Sequence, residues 1–75
     1  MTRLPRVSGG DVVKALERAG FREIHRKGSH RVLRRDSPFA RTVVPDHKEI
    51  NTGTLRNIIR QTGLTVAQFR ALLDR

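Results

Sequence analysis

The sequence predicts an α+β fold: helices laid on one face of a small antiparallel three-stranded sheet. Three observations carry this reading. Apolar residues recur at helical spacing near the start of the chain and again over residues 52–73. Between those stretches lie three short runs, broken by the turn signals Gly28-Ser29 and Asp36-Ser37-Pro38. Each helical stretch also opens on a capping residue or polar loop, and glycines follow the first two.

The first helix is expected over residues 9–19. Val12, Val13, Leu16 and Ala19 form its stripe, Ser8 with Asp11 resembles a capping box, and Gly20 suits a left-handed end. Phe21–Lys27, His30–Arg35 and Arg41–Pro45 read as strands, the last rich in β-branched residues. Period-two alternation puts His30, Val32 and Arg34 on one face of the middle strand, and Arg31, Leu33 and Arg35 on the other. Both sets mix cations with an aliphatic residue, so the pattern leaves open which face meets the helices. Pro38-Phe39-Ala40 reads as a turn tip with Phe39 free for an exposed contact, whereas Phe21 and Phe69 read as core. Asp46–Asn51 is a polar loop. A second helix begins near Thr52 or Gly53, carries Leu55, Ile58 and Ile59 inward, and stops at Gly63. Thr65 and Gln68 make a fuller capping box for a short last helix with Val66, Phe69, Leu72 and Leu73 on one stripe. No linker, repeat or low-complexity stretch divides the chain, so residues 1–75 are expected to form a single domain.

Composition narrows the function. There are no cysteines, which excludes disulfides and thiolate metal sites and suits a reducing cytoplasm. No apolar run approaches membrane-spanning length and no signal-peptide core is present, so a cytoplasmic protein with no membrane partner is expected. The formal net charge is +9, and thirteen of the sixteen cationic side chains are Arg. Guanidinium groups fork onto phosphate oxygens better than ammonium groups do. A polyanionic partner, nucleic acid or an acidic protein, would offset the self-repulsion.

Histidine is the side chain whose ordinary titration range suits proton transfer near neutrality. Of the three present, His30 directly follows Gly28-Ser29, at a hairpin mouth where a side chain can reach a substrate. Arg26, Lys27 and Arg31 crowd it, and Arg34 lies two residues along on the same strand face. Cations there can hold a phosphate and neutralise developing charge. RNA brings its own nucleophile, the ribose 2′-hydroxyl. A base beside phosphate-binding cations therefore suffices to cut RNA with neither metal nor cofactor. The residues alone leave His30 open between that role and a strand histidine hydrogen-bonded at its turn.

Other candidates are weaker. His25 stands in mid-strand with no special neighbours and reads as structural. Asp46, His47 and Glu49 are conceivable metal ligands without a recognised ligand spacing. His47 could instead bind substrate or partner, or serve as a second proton-transfer group if its loop folds back towards His30. Gly9-Gly10 lacks the phosphate-loop pattern and reads as a loose entry to the first helix. Thr54–Leu73, two short helices split by Gly63, is close to a helix-turn-helix. A non-catalytic nucleic-acid-binding module is accordingly the alternative to an enzyme.

At this point the chain resembles the HicA (YcfA-like) mRNA interferase toxins. The resemblance runs through Leu4–Gly10, Ala19-Gly20-Phe21, the Gly28-Ser29-His30 signature after Lys27, Val43–His47, Gly53–Ile59 and Gly63–Leu73. It implies a fold similar to double-stranded RNA-binding domains: helix, three antiparallel strands, helix, with a short C-terminal helix added. It further implies a toxin of a type II toxin–antitoxin system that cleaves mRNA to arrest translation. A HicB-type acidic antitoxin would mask the active site, and the family's catalytic histidine maps onto His30. Arg26, Lys27, Gly28, Ser29, Arg31 and Arg34 are the RNA-binding residues expected on local chemistry.

Overall fold

A computed structural model describes residues 4–74. Its elements run α1 (Gly9–Arg18), β1 (Arg22–Lys27), β2 (His30–Asp36), β3 (Phe39–Pro45), α2 (Thr52–Thr62) and α3 (Val66–Leu73). The strands form one antiparallel sheet in the order β1-β2-β3. This is the helix–sheet–helix arrangement of a double-stranded RNA-binding domain, with α3 added after it.

Local chemistry sets the helix ends. Ser8 accepts from the Asp11 amide while Asp11 accepts from the Ser8 amide, closing the capping box of α1. Gly20 follows with φ +94°, where a Cβ would be strained. Asn51 caps α2, which Gly63 ends at φ +77°. Thr65 and Gln68 form the reciprocal box that opens α3.

The register decides which sheet face is covered. Leu33 pairs with Thr42, Arg31 with Val44, and Arg35 with Ala40. Leu33, Thr42, Val44 and Ala40 are buried, so this is the face under the helices. Val12, Val13 and Leu16 of α1, Leu55, Ile58 and Ile59 of α2, and Phe69 of α3 join Leu33 and Val44 in one core with Phe21. Thr42 is the polar member of this sheet face, and its hydroxyl donates to Gln61 Oε1 at 2.7 Å. Arg35 stays on this face by covering the Phe21 ring at 4.7 Å and donating to the carbonyls of Pro38 and Thr62.

Most element ends fall within one residue of the sequence reading, and two features depart from it further. β3 begins at Phe39 rather than Arg41, because Ser37-Pro38 is itself a two-residue turn and Asp36 pairs at once with Phe39. Phe39 is nevertheless 69% exposed, while Ala40 is buried. Gly9, read as a loose helix entry, is a point of close approach. Its amide donates to the His47 carbonyl at 2.8 Å, and a Cβ would stand 2.2 Å from the Pro45 carbonyl oxygen.

Gly9→Ala is therefore expected to cost about 1–3 kcal/mol, the range for overpacking against atoms that cannot yield. Gly10→Ala, whose added carbon meets only Ser8 Oγ at 3.7 Å, should be neutral or stabilising. Thermal melting of the two variants checks this; equal melting temperatures would contradict it.

Candidate functional site

The face of the sheet away from the helices carries the side chains of interest. Three cross-strand rows lie on it: Lys27–His30–Pro45, His25–Val32–Val43 and Arg22–Arg34–Arg41. Successive rows are two residues apart on β2 and β3, about 6.8 Å along the strands. Val32 is 8% exposed without a helix above it, in the middle row between His25 and Val43. The surface thus has a short aliphatic centre with histidines and cations around it.

His30 is the first residue of β2, directly after the two-residue Gly28-Ser29 turn. Gly28 has φ +57° and Ser29 does not share that sign, which fits a II′ hairpin with glycine first. The turn makes Lys27 the direct partner of His30. Both side chains are exposed, and neither forms an ion pair or hydrogen bond among the described residues. On its other side His30 pairs with Pro45, and the Asp46 amide donates to the Ser29 carbonyl at 2.6 Å. The β3–α2 loop therefore starts alongside the hairpin mouth. His47 is tied through its carbonyl to Gly9, in the helix layer.

The expected RNA-binding residues divide between the two faces. Lys27, His30 and Arg34 share the open face, whereas Arg26 and Arg31 pair with each other on the helix side. There Arg26 is bonded to Asp46, and Arg31 to Glu23 with Asp46 4.0 Å away. Arg34 Nε lies 2.9 Å from Asp36 Oδ1 without hydrogen-bond alignment, and Arg22 also reaches Asp36, at 3.2 Å. Local sequence gave no sign that these carboxylates occupy the arginines. Lys27 and Arg41 are the open-face cations with no carboxylate partner among the described residues. Arg41 is a candidate that sequence proximity to His30 passed over; the β2–β3 register, which pairs it with Arg34, is the signal that places it on this face.

His25, read as a mid-strand structural residue, is exposed and on the face of His30. A bulge between Glu23 and His25 adjoins it. Asp46, His47 and Glu49 do not converge: among the described residues no group of three histidine or acidic side chains is arranged to hold a metal ion. The helix-turn-helix reading also meets a different geometry. α3 leans on α1, with Phe69 fully buried and Arg18 donating to the Leu72 carbonyl at 2.6 Å. No helix of the described residues is long and apolar enough to cross a membrane.

A comparison with curated proteins finds no match. A sequence-family model described as the HicA toxin of bacterial toxin–antitoxin systems matches residues 9–64, from the first residue of α1 to just past α2. With well over half of its length matched, the chain belongs to the HicA toxin family of bacterial toxin–antitoxin systems, in which a toxin is paired with an antitoxin.

Proposed function

We propose that this toxin is a metal-independent endoribonuclease that cuts mRNA and so halts translation. The observation that carries the reading is the exposed His30–Lys27 pair at the mouth of the β1–β2 hairpin, on a sheet face that no helix covers. His30 takes the proton of a ribose 2′-hydroxyl, and Lys27 holds the adjacent phosphate. Gly28 and Ser29 let the backbone turn without a bulky side chain in the way of the strand. Arg34 and Arg41 extend the positive surface one phosphate further. Arg26 and Arg31 contribute to the field and brace Asp46, which holds the loop beside His30. An acidic antitoxin of the HicB type covers the same face, matching its excess positive charge.

The test is a set of oligonucleotides of one sequence. Purified protein should cut the RNA with EDTA present, and leave both the DNA and the 2′-O-methyl RNA whole while still binding them. Binding should weaken steeply with salt, because each neutralised phosphate releases counterion. Cleavage of DNA, or cleavage abolished by chelation, would overturn the proposed chemistry.

A further inference from the structure

A base beside phosphate-binding cations can cut RNA, and a general acid for the leaving group speeds the step further. When the 2′-oxygen attacks phosphorus, the P–O5′ bond breaks and the departing 5′-oxygen needs a proton. We infer that His25 supplies it, which makes His25 the general acid opposite His30; the inference rests on the endoribonuclease reading above.

The geometry comes from hairpin parity. The two-residue turn fixes Lys27 opposite His30, so two residues back His25 faces the same side and pairs with Val32. His25 and His30 are then diagonal neighbours across the β1–β2 ladder, about 7–8 Å apart at their backbones. Each imidazole must come within about 2.6–3.2 Å of its own oxygen. Because the attacking and leaving oxygens lie on opposite sides of phosphorus, two groups at such a spacing can serve both at once. Lys27, on the same face and directly opposite His30, completes a triangle around that phosphorus.

Three further features favour His25. It is exposed, and no hydrogen bond among the described residues ties it down. The bulge next to it, which leaves Ile24 unpaired, re-aims the local strand. His47, the other candidate, lies in the β3–α2 loop, where its backbone carbonyl accepts from the Gly9 amide, and not on a strand of the open face. The step balances. The 2′-hydroxyl proton passes to neutral His30, the new P–O2′ bond forms, and the P–O5′ bond breaks with the His25 imidazolium proton going to O5′. The products are a 2′,3′-cyclic phosphate and a 5′-hydroxyl.

An acid is dispensable when the leaving group needs no proton. After the wild-type cleavage position has been mapped, that linkage is remade with sulfur replacing the bridging 5′-oxygen. His25→Ala should lose about 10²–10⁴-fold in rate on ordinary RNA, and recover most of the wild-type rate on the sulfur-bridged substrate. His30→Ala should be slow on both. A His25→Ala variant that cuts ordinary RNA normally overturns the assignment, as does one that stays slow on the sulfur substrate. Rescue of His30→Ala instead would reverse the two roles and equally overturn it. His25→Gln, which keeps a polar side chain of similar reach, repeats the measurement should the alanine variant melt early. Wild-type protein that cuts no ordinary RNA, leaving no position to map, would strike the endoribonuclease reading itself, a distinct outcome.

Discussion

His30→Ala is expected to abolish growth arrest in an expressing host and to slow RNA cleavage by about 10²–10⁴-fold, the usual contribution of a group that transfers a proton in the transition state. Melting temperature and RNA affinity should hardly move. The side chain is exposed and makes no hydrogen bond or ion pair among the described residues, so its removal leaves neither a cavity nor an orphaned partner. Lys27 and Pro45 keep pairing with residue 30 through the backbone whatever its side chain. Affinity for RNA comes mainly from phosphate contacts, which a neutral imidazole does not supply. His47→Ala is the matched control and should retain most activity. Cleavage by His30→Ala at close to the wild-type rate would show that the proton acceptor lies elsewhere. A variant that melts early would show that His30 serves the hairpin rather than the chemistry.

Much of this architecture is legible in the sequence because its signals are local. Ser8 with Asp11, Thr65 with Gln68, and Gly63 each fix a helix end through residues a few positions apart. His30 is legible for the same reason, since Gly28-Ser29 announces the hairpin that exposes it. The covered face of the sheet is less so: Val32 and Leu33 are equally apolar, and each has arginines beside it. The answer lies in residues far along the chain, where Ala40, Thr42 and Val44 present small or satisfied side chains to the helices. Likewise Arg26 and Arg31 look available in a list of cations near His30. Only folding brings Asp46, twenty residues after Arg26, and Glu23, across the ladder, onto their guanidinium groups. His25 falls between these cases. Its immediate neighbours say nothing, but the parity of a two-residue turn already places it on the face of His30.

Phe69→Ala carries the largest expected loss of stability. Phe69 is fully buried, and it is the buried residue of α3, an element that lies beyond the residues matched by the HicA family model. The helix is short, eight residues, well below the length that persists alone in water, so its formation depends on docking against α1. Val66, Leu72 and Leu73 are only partly buried, which leaves the phenyl ring as the main anchor. Truncating a buried Phe to Ala typically costs about 3–5 kcal/mol. Against the roughly 5–15 kcal/mol of an ordinary domain, that is a large part of the total. The loss should spread beyond α3, because the ring shares one core with Val12, Leu16 and Leu33. Arg18 would also lose its acceptor if the helix undocked, since its guanidinium bonds the Leu72 carbonyl. Denaturant melts should show a lower midpoint, with early loss of amide protection in α3 and then in α1. If Phe69→Ala lost protection in α3 alone while the rest melted as before, α3 would be a detachable appendage, and the core would close on α1, α2 and the sheet without it.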